Sequence, residues 1–110
     1  MTDKIVVLST CASAEEADKI ARRLVEARLA ACVNVLPGAR SFYRWQGAIE
    51  NASEWLLIIK SSRQRFGSLR AELERLHSYE VPEIVALPIV DGSLNYLHWL
   101  EGEIRNDASV

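Results

Sequence analysis

The stretch "CVNVLPGARSFYRWQGAIENASEWLLIIKSS", Cys32 to Ser62, decides how this chain folds. Its first half, residues 32–45, is rich in β-branched and aromatic side chains and predicts one long strand. Pro37 and Gly38 interrupt that strand. Proline cannot donate to a ladder and glycine has no side chain to pack, so a bulge or bend is expected there. "WQGAIE" then forms the hairpin tip, with Gly47 free to take positive φ. "EWLLIIKS", residues 54–61, returns as the next strand.

This returning strand does not alternate. Trp55, Leu56, Leu57, Ile58 and Ile59 are apolar in succession, whereas a half-exposed antiparallel strand should show apolar residues at every second position. Nearer the tip, Ser41, Tyr43 and Trp45 alternate with Phe42, Arg44 and Gln46, which leaves aromatics on both sides. Something must cover the second face. Large apolar patches mark interfaces, and a second copy of the same chain is the simplest cover. The alternative is that this strand is merely central in its own sheet.

Outward from the hairpin, the remaining elements follow a regular order. Residues 4–10, "KIVVLST", read as the first strand. Ser13 and Glu16 form a capping box, and Ala14, Ala17, Ile20, Ala21, Leu24 and Val25 recur at helical spacing behind it. Acids lead this helix (Glu15, Glu16, Asp18) and bases close it (Arg22, Arg23, Arg28), as the helix dipole favours. It is expected to end near residue 29. Ser61 with Gln64 suggests a second capping box, followed by Phe66, Leu69, Leu73 and Leu76 on one helix face. "LHSYEVPEIVALPIV", residues 76–90, ends that helix and opens a fourth strand at about Glu83. Asp91-Gly92 turns the chain, and Ser93 caps a third helix expected to stop at Gly102. The tail 106–110, "NDASV", has nothing to anchor it and is expected to fray. The order is βαβ–βαβ plus a short C-terminal helix. That is the α+β, ferredoxin-like split βαβ plan with an antiparallel sheet, in one domain spanning residues 1–110.

Composition narrows the function. The chain has 110 residues, 49% of them apolar, with a formal net charge of −2 and a pI of about 5.7. There is no basic footprint for nucleic acid or an anionic membrane. No apolar run is long enough for a bilayer span or a signal peptide. Cys11 and Cys32 do not make a disulfide framework, so a reduced, cytoplasmic protein is expected. No GxSxG, HExxH, Walker loop or glycine-rich phosphate cradle occurs, and a non-enzymatic protein is expected. Acylphosphatase and RNA-recognition domains share the fold class, but the first needs an arginine-bearing phosphate loop and the second a basic aromatic strand. "VVLSTCASAEEA" and "EWLLIIKS" supply neither.

The segments "LAACVNVLPGARSFYRWQGAIE", "EWLLIIKSS" and "LHSYEVPEIVALPIVDGSLNYLHWLEGE" resemble the CutA divalent-cation tolerance family over residues 5 to about 104. The resemblance implies a ferredoxin-like subunit in a tightly packed homotrimer, with long strands paired between copies. It implies a cytosolic member linked to copper tolerance. The trimer architecture further resembles the nitrogen-regulatory PII signalling proteins, a likeness of fold. Two departures stand out: Ser78 replaces the family's usual proline, and a cysteine that some members carry at position 9 lies here at Cys11.

Two sets of candidate residues result. Cys11 and His77 are the candidate ligands for copper or another divalent cation, because thiolate and imidazole suit copper. No spacing motif preorganises them, and His77 also fits a plain C-terminal helix cap. Cys32, Trp45, Glu54, Lys60, Tyr79, Glu80 and Glu83 are the candidates for a polar cleft with aromatic walls, shared between copies and open to a small ligand. Glu54 and Lys60 fall on one strand face by parity. Against this stand a solvated face or structural ion pairs. No cofactor is required by the sequence. The expected role is a trimeric binding or scaffold protein in metal tolerance, with a PII-like effector sensor as the alternative.

Overall fold

Strand β1 (Lys4–Cys11) lies inside the sheet, as its β-branched run demands. In the computed structural model, which describes residues 2–105, the remaining elements are α1 (Ala14–Glu26), β2 (Cys32–Trp45), β3 (Ala48–Ser62), α2 (Arg63–Leu76), β4 (Val85–Pro88) and α3 (Leu94–Ile104). The sheet order is β2-β3-β1-β4, and every pairing is antiparallel. This is the ferredoxin-like topology expected from the element order.

Register sorts the side chains by face. Ile5, Val7 and Cys11 of β1 and Leu57 and Ile59 of β3 turn toward α1 and α2. They pack with Ile20, Leu24, Leu69 and Leu73, all fully buried. Val6, Leu8, Leu56 and Ile58 point to the opposite face and are only half buried, while Leu36, Val85 and Leu87 lie exposed there. Helix α3 covers one end of this second face. Its Leu100 and Ile104 pack on Ala31, and its Glu101 Oε1 accepts from Lys4 Nζ over 2.8 Å.

The β2–β3 hairpin outruns the sheet. β1 pairs with β3 only from Trp55 to Ser62, yet the β2–β3 ladder continues to Trp45↔Ala48. Residues 39–54 therefore form a two-stranded arm. A chain of this length packed as one globule has a radius of gyration of about 13 Å. The arm stretches it to 14.8 Å, with a longest dimension of 50 Å. Phe42, Tyr43, Trp45 and Ile49 on the arm are 46–63% exposed. The expected bulge appears as a register shift between Leu36 and Ala39, with Gly38 at φ 84°. Gly47 at the tip also has φ 84°.

Four boundaries differ from the sequence expectation. Helix α1 ends at Glu26 because Arg28 turns left-handed (φ 58°), letting the Leu29 and Ala30 N–H groups both reach Leu24 O. Ser62, not Ser61, caps α2, accepting from Arg65 N. Ser61 is still strand and donates its hydroxyl to Leu29 O over 2.6 Å. Strand β4 starts at Val85 rather than Glu83, after the Pro82 segment. Helix α3 runs through Gly102 to Ile104, where guanidinium groups substitute for further helix: Arg28 donates to Glu103 O and Arg65 to Ile104 O. The expected fraying at 106–110 lies outside the described residues.

Candidate functional site

The candidate residues separate into two groups at opposite ends of β3. Glu54 and Lys60 share a face by register, but six residues of strand put about 20 Å between them. Within one copy they cannot line one cleft.

The first group gathers where β1 runs into α1 and α2 ends. Ser13 caps α1 by accepting from Glu16 N. The Glu16 carboxylate does not close the expected capping box; it reaches across to accept from Ser78 N over 2.7 Å. That bond holds the end of α2 against α1. It also places His77, whose side chain is wholly buried, beneath the end of β1. His77 Nδ1 accepts from Tyr79 N at 3.1 Å, so the neutral ring carries its proton on Nε2. Nε2 then donates to Thr10 O over 2.7 Å. Cys11 Sγ lies 3.9 Å from the same nitrogen. The Tyr79 ring stacks obliquely on His77, with centroids 4.7 Å apart, and its hydroxyl donates to Glu54 Oε2 over 2.5 Å.

Electrostatics fixes the protonation of this group. Burial, then the charges of Glu16 and Glu54, pushes the Cys11 thiol up to about 12. Burial and the Glu54 bond likewise raise the Tyr79 phenol. Burial opposes ionisation of Glu16, but the Ser78 hydrogen bonds, the His77 ring and the Ala12 backbone outweigh it and hold its carboxyl below the ordinary value. Cys11 is therefore a neutral thiol near pH 7, and both His77 nitrogens are engaged. The pair comes together in space, yet this arrangement offers a cation no free donor. Among the described residues no three of His, Cys, Asp and Glu are grouped to hold a metal ion.

The second group lies at the other end of β3, on the face away from α1 and α2. Cys32 pairs with Lys60, and Asn34 with Ile58, in the β2–β3 ladder. Lys60 Nζ donates to Asn34 Oδ1, and Cys32 Sγ approaches the same oxygen at 3.9 Å. Tyr96 of α3 lies close to Cys32; burial first, and then its interaction with Cys32, raises its phenol. Tyr96 stacks obliquely on Trp99 at 5.6 Å. Cys32 is thus a half-exposed polar contact, not the buried small hydrophobe its apolar sequence neighbours suggest.

The remaining candidates stand apart. Trp45 is at the arm's tip, and Glu80 and Glu83 are exposed on the segment before β4. None of the three makes an ion pair or side-chain hydrogen bond among the described residues. Sequence reasoning missed Glu16, Asn34 and Tyr96 as members of these groups. Asn34 had a visible signal, since it shares strand parity with Cys32. Glu16 and Tyr96 had none, because their partners are brought in from distant elements.

The fold and its two polar groups define a ferredoxin-like α+β domain with a projecting hairpin arm. Residues 5–103 match the family model of the CutA1 divalent ion tolerance protein. A divalent-cation tolerance protein CutA from Thermus thermophilus is 53% identical over 95 residues, covering 86% of this chain and 92% of that protein. The chloroplastic protein CutA of Arabidopsis thaliana is 44% identical over 93% of this chain, which spans 56% of the plant protein. The crystal structure of CutA from Xylella fastidiosa superposes with a TM-score of 0.93 at 42% identity, covering 94% of this chain and 100% of that one. The chain belongs to the CutA1 divalent ion tolerance family.

Proposed function

We propose that this chain acts in divalent-cation tolerance as a cytoplasmic, non-catalytic homotrimer that binds copper or a related cation with donors from more than one copy. The observation that carries the reading is the arm. A two-stranded ribbon is marginal alone in water, and this one bears four large apolar side chains in the open. The half-bare second face of the sheet lies beside it. Copies that lend each other arms would cover both surfaces, and the family resemblance supplies the number three. Because the described residues of one copy group no three metal donors, a cation site is completed in this reading by neighbouring copies. Cu(II) should then bind more weakly than at a dedicated four-ligand site.

Light scattering and native mass spectrometry test the assembly: three chains per particle at micromolar concentration. A monomer at that concentration overturns the reading. Copper titration of the intact protein and of Ile49→Lys tests the cation. Loss of the trimer should remove the copper affinity with it; a monomeric variant that binds copper as tightly as the wild type sinks the shared-donor arrangement. The second reading, a PII-like sensor of a small effector, is favoured by the Cys32–Asn34–Lys60 group, which has no other evident use in one copy.

A further inference from the structure

We infer that Lys60 and Asn34, backed by Cys32 and Tyr96, form the recognition half of a site for a small organic carboxylate, completed when a second copy covers the sheet. This deepens the effector reading and rests on the self-assembly proposed above.

Lys60 carries three ammonium protons, and one goes to Asn34 Oδ1. The Asn34 oxygen also accepts from Cys32 Sγ at 3.9 Å, and Tyr96 lies close to that thiol. The amide acceptor of the group is thereby spent within it. What remains is two ammonium N–H groups and the two amide N–H groups of Asn34, with no acceptor for them among the described residues. An all-donor site with one positive charge matches an acceptor-only ligand with one negative charge, and repels cations.

The surroundings sharpen the class. Among the described residues Lys60 forms no ion pair, and the acids Asp3 and Glu101 are both taken by Lys4. Val6, paired with Lys60 across the β1–β3 ladder, and Ile58, two residues along β3, adjoin it on the same apolar face. Covering that face would desolvate an ammonium without a counter-charge, which is costly unless an anion enters with it. A carboxylate head would meet Lys60 and Asn34, and an apolar body would rest on the sheet beside Tyr96.

The test compares wild type and Lys60→Met, both intact, by thermal unfolding and light scattering on the same carboxylate-free samples. The probes are acetate and benzoate, with acetamide and benzamide as neutral controls at matched ionic strength. Both proteins should be trimers. Near saturation the carboxylates should raise the wild-type Tm by about 4 °C or more, the amides should not, and Lys60→Met should lose the shift. Without probe, Lys60→Met should melt no lower than the wild type, since it removes an uncompensated charge. A trimer unmoved by either carboxylate, equal shifts from the amides, or a shift that survives in Lys60→Met overturns the inference alone. So does a Lys60→Met variant that loses the trimer, because the counter-charge is then a neighbour's side chain. A monomeric wild type overturns the assembly and this site together.

Discussion

Tyr79 and Glu54 tie the end of α2 to the root of the arm: the phenol donates to Glu54 Oε2 over 2.5 Å, and Glu54 is 6% exposed. Their sequence separation is large, so this bond is a tertiary clasp rather than a local turn. Tyr79→Phe would strand a buried carboxylate and should cost about 1–3 kcal/mol in denaturant unfolding. Adding Glu54→Gln to it should recover part of that loss by removing the orphaned charge. A Tyr79→Phe protein within about 0.5 kcal/mol of wild type would show that water replaces the phenol without loss.

Cys11 should be chemically silent in the folded protein. It is fully buried and its thiol is pushed up to about 12, so neither access nor thiolate is available near neutrality. In Cys32→Ser, where it is the sole cysteine, an aromatic disulfide reagent should label it only as fast as the protein opens. Rapid labelling at pH 7 would contradict the burial.

Acid should weaken the clamp between α1 and the end of α2. The Glu16 carboxyl is held below its ordinary 4.5 in the fold. A depressed folded value means stability that is fully present above the unfolded value and is lost as pH falls through the folded one. The Tm difference between wild type and Glu16→Gln should therefore be constant above about pH 5.5 and shrink below 4.5. A difference that grows toward acid would reverse the assignment.

Adjacent serines should separate by mechanism. Ser62 caps α2 through its side-chain oxygen, so Ser62→Ala should cost about 1 kcal/mol and Ser62→Asp should restore it. Ser61 instead donates to Leu29 O, so Ser61→Ala should cost a similar amount that Asp cannot restore, because an ionised carboxylate has no proton to donate. Equilibrium unfolding of the four variants decides it.

The elements of this chain were legible because local pattern and global fold agree. Period-2 and period-3.6 runs, the Ser13 and Ser93 caps and the Pro37-Gly38 interruption each name their own structure. Ser61 and Ser62 could not be told apart, since a cap depends on where the strand stops, and β1 pairing carries β3 one residue further. The polar groups were harder. Cys11 and His77 could be named as residue types suited to a metal, but not that each ring nitrogen would already be engaged. Those engagements come from Thr10 and Tyr79 backbone groups, which every residue carries and no motif records. Lys60 and Glu54 looked like neighbours by parity, because parity gives the face and not the distance along it.

The register shift at Leu36/Ala39 has a consequence for how such a chain can vary in length. It inserts one residue into β2, so odd-numbered positions beyond it occupy the side held by even-numbered positions before it. In-frame loss of a single codon at Pro37 or Gly38 would leave one residue facing Trp55, straighten β2 and keep Tyr43 and Trp45 opposite Glu50 and Ala48 on their present side. Removing one residue from each strand beside the tip would shorten the arm and leave every position between the bulge and the cut on its present side. Length polymorphism in descendants of this gene should therefore be symmetric about residues 46–47 along the arm, with loss of a single residue at 37–38 the one asymmetric change that keeps every face.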